Sequence, residues 1–454
     1  MIKRCFLPAL SLSLGFWLSI FVGGCAMSEK SSDPGTHHHS FIDYWPPPKN
    51  DQQLRLAVKD NIDVKGVVTS AGSEYVEKTS PPALHDAACL AIARQRNVRI
   101  IGKTDLSEFA VAPSGLNEYF GTPRNPFTKP WHHVIPGGSS CGSAVAVANG
   151  MADVSFGTDT AGSVRVPAAC CGVVGLKTTF GLISLKGVFP VEPKHLDTVG
   201  PMGRDIAHVV LGMDLLKNGF AARYDAAVSA KPSGRQIRVG RLYLSGTDPK
   251  IDQAIDKALA AAGFQVVPLD KEFKSKWDQA KKDGNTLAAA GAWISEGQYL
   301  LKWGVRARTK AVILLGRLLY PIQYRAALQR RAAWQHTLHR VFQKVDFIAL
   351  PTLQVIPPRI PNISGIALLE AQVLNLQNTV PVNFAGNPAL VVPVPLVREH
   401  FPVTSLQLVG PRLSEAELLN AGRLIELTAG PIHRSSRGTP VSAKATSGSA
   451  RSPG

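Results

Sequence analysis

The stretch ADVSFGTDTAGS, residues 152–163, has the pattern of a buried strand that enters a tight turn. ADVSFGTD predicts the strand and TAGS predicts the turn. Gly162 allows the backbone to bend sharply, so that successive N–H groups point into one concavity. Ser163 is therefore expected to lie beside N–H groups that can stabilise an oxyanion.

A second glycine-flanked serine loop, GGSSCGS at residues 137–143, precedes a helix of small residues, SAVAVANG. Its backbone is thus expected at a helix N-terminus. Residues 138–142 also match the G-x-S-x-G pattern, which would make Ser140 a hydrolase nucleophile, although the preceding WHHVIP is a poor strand. Taken alone, either loop is compatible with a simple tight turn.

Lys59, in RLAVKDNIDVKG at residues 55–66, ends another strand-like apolar run. A lysine at this position commonly marks a strand end with its amine in water. If it is buried beside the serine hydroxyls, however, desolvation disfavours the ammonium and the amine can act as a base near neutral pH. The sequence leaves both alternatives open.

The rest of the chain alternates apolar runs with helical patterns, which indicates an α/β fold with a central mixed sheet covered by helices on both faces. We expect one large domain over residues 44–430, in which a variable segment, residues 250–344, is helical and rich in Trp and Tyr. The GKT at residues 102–104 suggests a phosphate-binding loop, but Asn97 occupies the position where that motif needs glycine.

Several motifs, in order, resemble those of the amidase signature family, in which a Ser-cisSer-Lys triad hydrolyses amides. The resemblance covers residues 44–428 except for the variable segment, and its clearest motifs are AVKDNIDVKG, IIGKTDLSEFA, PGGSSCGSAVAVANG, GTDTAGSVRVPAACCGVVGLKTTFG and DTVGPMGRD. It implies the amidase signature fold. By position, it implies that Ser163 is the nucleophile, Ser139 the bridging serine and Lys59 the base.

The resemblance also implies supporting roles. The backbone N–H groups expected to form the oxyanion hole belong to Thr160, Ala161, Gly162 and Ser163. Ser140 and Asp159 are expected to support the loops by hydrogen bonding.

The sequence departs from the family at three positions, where Ala161 and Cys141 replace a common glycine and Thr178 replaces a common proline. The methyl group of Ala161 is expected to narrow the acyl pocket. Cys141 is either a thiol with a lowered pKa at a helix N-terminus or a packed thiol.

The resemblance implies an amidase that hydrolyses the C–N bond of a small-molecule carboxylic amide through a serine acyl-enzyme, releasing carboxylate and ammonia or amine. It requires no metal and no cofactor. The acyl and amine parts of the substrate stay open, because the variable segment is expected to shape the pocket.

The N-terminus has the layout of a lipoprotein export signal. Lys3 and Arg4 precede an apolar run that ends in small residues before Cys25, which predicts a signal peptide over residues 1–24 and lipidation of Cys25. Residues 25–43 are then a flexible tether, and residues 431–454 a disordered tail. The protein is expected to be exported and lipid-anchored in the cell envelope, at the outer membrane facing the periplasm. An uncleaved anchor helix is the alternative.

The formal net charge of +17 favours anionic envelope components, and no nucleic-acid motif accompanies it. Between Gly297 and Val345 there are ten Lys or Arg and no Asp or Glu. An alternative function is therefore a catalytically silent envelope-binding lipoprotein that uses the basic region 297–344. Homodimer formation is also left open.

Overall fold

A computed structural model gives the structure of residues 39–129, 133–361, 366–396 and 401–429. Its strands are β1 Phe41–Tyr44, β2 Arg55–Lys59, β3 Arg99–Thr104, β4 Val154–Asp159, β5 Val174–Lys177, β6 Thr198–Gly203, β7 Arg238–Arg241, β8 Gln265–Pro268, β9 Phe347–Pro351, β10 Ala389–Pro395 and β11 Val403–Val409. They form one sheet in the order β1-β3-β2-β4-β6-β5-β10-β11-β9-β7-β8. The sheet is mixed as predicted, because β2 pairs in parallel with β3 and β4 while β4 and β6 are antiparallel.

The helices are α1 Glu74–Thr79, α2 Ala91–Gln95, α3 Cys141–Ala148, α4 Arg165–Cys171, α5 Ile206–Leu216, α6 Phe220–Ala230, α7 Pro249–Ala261, α8 Lys271–Glu296, α9 Ala307–Leu319, α10 Arg325–Phe342, α11 Ile366–Leu376, α12 Val380–Ala385 and α13 Glu415–Ala429. Several begin at an aspartate whose carboxylate accepts an N–H of the first turn. Asp205 accepts from His208 N–H, and Asp270 accepts from Phe273 N–H.

Helices cover both faces of the sheet, as β2 shows. Leu56 and Val58 belong to a core that includes α5, α7 and α13, whereas Ala57 between them belongs to a core with α3 and α4. Since successive strand residues point to opposite faces, this alternation places helices on each side. The predicted α/β architecture, a central mixed sheet with helices on both faces, is confirmed.

The strands agree with one sequence interpretation and revise another. The GKT of residues 102–104 lies inside β3, which pairs with β1 on one side and β2 on the other, so it forms no phosphate-binding loop. The strand β1 begins at Phe41, so the sheet includes residues from the segment predicted as a tether. The predicted signal peptide, Cys25 and the tail lie outside the described residues.

The variable segment, residues 250–344, is mainly helical, as expected. α8 packs against α9, α10 and α12, and a π-helical turn, Tyr320–Tyr324, joins α9 to α10. The sequence pattern missed one strand here, β8, whose residues are exposed at the edge of the sheet. No helix among the described residues is both long enough and apolar enough to cross a membrane.

Candidate active site

Lys59 is the last residue of β2, which lies between β3 and β4. Its side chain is completely buried, and its Nζ lies 2.7 Å from Ser139 Oγ and 2.9 Å from Thr158 Oγ1. Burial lowers the pKa of this amine to about 7. Of the two alternatives for Lys59, the structure therefore shows the buried lysine, whose uncharged form can accept a proton near neutral pH.

Ser139 lies just before α3, and the Gly138–Ser139 peptide bond is cis, as the resemblance implies. No side chain fits at Gly138, because a Cβ there would lie 2.5 Å from the carbonyl oxygen of Ala112. The carbonyl of Ser139 accepts the N–H of Ser107 at 3.2 Å. The backbone on both sides of Ser139 is thus fixed, and its hydroxyl contacts the Lys59 amine.

Ser163 follows β4 at the predicted turn, and 9% of its surface is exposed. Gly162 has φ +137°, and a Cβ at this residue would collide with the Thr379 side chain. Only glycine meets both conditions. The turn therefore holds Ser163 at the margin of a buried site, with a small part of its surface exposed.

A buried ion pair holds this turn in place. The carboxylate of Asp159 accepts the N–H of Gly162 at 2.8 Å and pairs with the Arg165 guanidinium at 3.0 Å. Although burial raises the pKa of Asp159, the charge of Arg165 outweighs that effect and holds the pKa well below its usual range. Asp159 is consequently ionised at neutral pH, and it supports the loop by the hydrogen bonding expected of it.

The two serine loops meet through their backbones. The N–H of Ser140 donates to the carbonyl of Ser163 at 3.2 Å, which brings Ser139 and Ser163 to adjoining positions. Within the described residues, no hydrogen bond joins the hydroxyls of Ser139 and Ser163. The structure thus brings all three triad candidates together, with the Lys59 to Ser139 contact formed.

The four N–H groups expected at the oxyanion hole are not equivalent. The N–H of Gly162 already donates to Asp159 Oδ1. Those of Thr160, Ala161 and Ser163 donate to no acceptor in the described parts of the chain. Three of the four N–H groups are therefore available to a developing oxyanion. Gly162 instead allows the turn to adopt its backbone conformation, with φ +137°.

Sequence reasoning missed three residues that contact the site. Thr158 Oγ1 accepts hydrogen bonds from Lys59 Nζ and from Asn61 Nδ2, the latter at 3.0 Å. Thr160 donates its hydroxyl to Asp197 at 2.7 Å. All three lie within quoted motifs, Asp197 as the first residue of DTVGPMGRD, but the motifs alone did not indicate these contacts.

Ser140 and Cys141 are packed rather than reactive. Ser140 is completely buried, and its hydroxyl donates to the carbonyl of Thr158 at 3.3 Å, so it supports the loop and is not presented as a G-x-S-x-G nucleophile. Burial raises the pKa of the Cys141 thiol well above its usual value, which confirms the packed alternative. Cys89, Cys170 and Cys171 are likewise buried, and none of them forms a disulfide within the described residues.

The fold and this site define the amidase signature class of enzymes. A sequence model of the family described as Amidase matches residues 54–419, and the chain therefore belongs to this family. Like the other members, it is an enzyme that hydrolyses amide C–N bonds.

Three comparisons agree with this assignment. The chain is 35% identical over 397 residues to 2-amino-5-chloromuconic acid deaminase of Comamonas testosteroni, covering 84% of this chain and 82% of that protein. It is 31% identical to a glutamyl-tRNA(Gln) amidotransferase subunit of Halobacterium salinarum, covering 82% and 94%. The crystal structure of the same amidotransferase subunit from Thermotoga maritima superimposes with a TM-score of 0.71 at 25% identity, covering 87% and 88%.

Proposed function

We propose that Ser163 is the acylated nucleophile of this amidase, that Ser139 relays its proton and that Lys59 is the base. The observation that carries the proposal is the fully buried Lys59 amine 2.7 Å from Ser139 Oγ. An amine whose pKa is about 7 has an uncharged fraction at neutral pH, and its lone pair can then accept the hydroxyl proton of Ser139.

The acylation step begins with transfer of the Ser139 proton to Lys59, while Ser139 takes the proton of Ser163. The freed Ser163 oxygen forms a bond to the amide carbon, and the carbonyl electron pair moves onto the oxygen, which the N–H groups of Thr160, Ala161 and Ser163 stabilise. When the C–N bond breaks, the departing nitrogen receives the proton through Ser139.

Deacylation uses the same groups. Water gives a proton through Ser139 to Lys59 and attacks the acyl carbon, and the second tetrahedral intermediate collapses with release of the carboxylate. Ser163 recovers its proton by the same relay. Thr158 and Asn61 hold the Lys59 amine in position through their shared hydrogen bonds.

A fluorophosphonate probe tests the nucleophile assignment. We expect the full-length wild-type protein to be labelled and Ser163→Ala to be unlabelled, because the probe forms a covalent bond only with an activated serine. Ser229→Ala, which removes an exposed helical hydroxyl, is the matched control and should label normally. Loss of label in Ser140→Ala with retention in Ser163→Ala would refute the assignment.

A hydrolysis screen would identify which class of amide the enzyme accepts. A panel of amides that varies separately in acyl length and in the amine tests whether Ala161, with its added methyl group, restricts the acyl side. We expect Ala161→Gly to increase kcat/KM for bulky acyl groups more than for acetyl amides. Equal ratios in both proteins would contradict a narrowed acyl pocket.

We further propose that the protein is exported and lipid-anchored at Cys25, on the outer membrane facing the periplasm. The signal-like residues 1–24 and the small residues before Cys25 support this location. At such a location the enzyme would not meet a tRNA substrate, although several relatives belong to tRNA-dependent amidotransferases. A small-molecule amide is thus the substrate that we propose.

A further inference from the structure

The outer face of α9 is apolar, which is unusual for a helix at a protein surface. Leu314, Leu315 and Leu318 are 45%, 49% and 59% exposed, and Ile322 in the following π-helical turn is 76% exposed. Their spacing of three and four residues places them along one side of the helix. These four residues are called the leucine face below.

The opposite side of α9 already has its packing partner. Thr309, Ile313 and Gly316 are buried, and Gly316 approaches the carbonyl of Ala289 in α8 so closely that a Cβ would collide with it. α9 is therefore held on α8 by its buried side. The leucine face is not needed for this contact, and it stays exposed in the described part of the chain.

Unpaired positive charges accompany the leucine face. Lys310, Arg317 and Arg325 belong to α9 and the start of α10, and they form no ion pair with the described residues. Arg317 lies over the Trp293 ring, with its guanidinium carbon 5.3 Å from the ring centre. Since the chain from Gly297 to Val345 contains no Asp or Glu, no carboxylate of this segment offsets these charges.

We infer that the leucine face docks the protein on the surface of an anionic lipid bilayer. Apolar side chains enter the boundary between headgroups and acyl chains, and lysines and arginines bind the anionic headgroups. A second copy of the chain is a poorer occupant, because a twofold contact joins the same surface of both copies and would bring two basic patches together. The helix would lie at the bilayer surface and would not cross it. α9 has 13 residues, and no helix among those described is long and apolar enough to span a membrane.

Vesicle binding of the full-length chain tests the inference. The probe is vesicles of phosphatidylcholine alone or mixed with phosphatidylglycerol, and the variant is Leu314→Glu with Leu318→Glu. We expect this double variant to bind the anionic vesicles roughly tenfold more weakly than wild type, because it loses apolar contacts and gains charge repulsion. Raising the salt concentration should weaken wild-type binding as well.

The matched control is Leu413→Glu with Leu427→Glu, which changes two leucines that are 53% and 70% exposed elsewhere on the molecule. Its binding should equal that of wild type. All these proteins keep the same N-terminus, so any anchoring by residues 1–24 contributes equally. Turnover of a soluble amide should be unchanged in both double variants, which verifies folding.

Brominated phosphatidylglycerol gives a second, position-specific readout. We expect the added fluorescence of Leu318→Trp to be quenched on such vesicles and that of Leu427→Trp to be unaffected. Equal vesicle binding of the leucine-face double variant and wild type, together with unquenched Leu318→Trp, would overturn the inference. A fall in sedimentation mass of that double variant with unchanged vesicle binding would show instead that the face joins two copies.

Discussion

The amine of Lys59 destabilises the folded protein under the same conditions in which it cannot act as a base. In the unfolded chain a lysine keeps its proton up to a pH of about 10, whereas the folded protein releases it at about 7. Between these values the unfolded state binds more protons, so the free energy of unfolding increases as the pH rises. The stability of the fold and the proposed proton transfer therefore depend on the same uncharged amine.

Substitution of Lys59 by methionine separates the two effects. We expect Lys59→Met to lose activity by roughly 10³-fold or more, because the proton relay has no acceptor. In the wild type, kcat/KM should rise with pH through about 7. The wild type should also gain roughly 2–3 kcal/mol of stability relative to Lys59→Met between pH 6.5 and pH 9, as measured by urea denaturation.

Lys65→Met is the control for the loss of a lysine, because Lys65 is exposed. Lys65→Met should show the wild-type pH dependence of kcat/KM. Its free energy of unfolding should also change between the two pH values by the same amount as that of wild type. A stability difference between wild type and Lys59→Met that is the same at both pH values would contradict a lowered pKa.

Individual site residues differ in how far the sequence could predict them. Ser139 and Ser163 could be predicted because a catalytic hydroxyl needs a glycine-rich turn, which leaves a local pattern. Thr158 could not be predicted in this way. Its hydroxyl contacts the Lys59 amine only because β2 and β4 are neighbours in the sheet, and no local pattern indicates that pairing. Burial of Lys59 likewise depends on the strands that surround β2.

At the scale of elements, the turn between β4 and α4 is held by groups from distant parts of the chain. Arg165 binds Asp159, Gln407 and the carbonyl of Thr379, and Asn383 also contacts Asp159. The carboxylate of Asp159 thus joins the turn that carries Ser163 to α12 directly and, through Arg165, to β11. A change in its charge is expected to affect the whole turn.

Asp159→Asn tests this connection. It removes one charge of a fully buried ion pair, so we expect a loss of about 3–5 kcal/mol in the free energy of unfolding. A loss of kcat larger than any change in KM should accompany it, because the N–H groups beside Ser163 lose their fixed direction. Urea denaturation and steady-state kinetics measure the two effects.

The matched control is Glu272→Gln, which removes the same charge from an exposed pair with Lys276. It should leave stability and kinetics within experimental error of wild type, because exposed ion pairs contribute little. Similar losses in the two variants would show that the burial of Asp159 has no special effect.

The elements that the sequence predicted are those with continuous apolar patterns. RLAVKD and ADVSFGTD both form strands. β6 was not predicted as a strand, because TVGPMG contains two glycines and a proline, residues that weaken strands on their own. In the sheet, Gly200 lies against the carbonyl of Leu176, where no side chain fits. Tertiary packing therefore selects residues that local propensity disfavours.

At the scale of the whole molecule, the site is assembled from segments that are distant in sequence. Lys59 and Ser139 are 80 residues apart, and Arg165 and Gln407 are 242 apart. A single sequence can indicate such assembly only through motifs whose joint role is known. The family resemblance supplied such motifs, and they led to the proposed triad. The leucine face has no motif, and only the packing of α8 against the other side of α9 distinguishes it from a buried apolar stripe.

The location of the whole protein gives the last prediction, which concerns lipid attachment. If Cys25 is the first residue of the mature lipoprotein, its thiol carries acyl chains. Cells grown with an alkyne-tagged fatty acid should therefore yield labelled wild-type protein. Cys25→Ser should be unlabelled, because serine lacks the thiol to which the lipid is joined.

Cys5→Ser is the matched control, since Cys5 lies in the apolar run that signal cleavage would remove. It should label like wild type, and the labelled mature protein should be shorter than the full chain by the predicted 24 residues, as measured by intact mass. Label retained in Cys25→Ser, or an unshortened chain in the wild type, would instead favour an uncleaved N-terminal helix as the anchor.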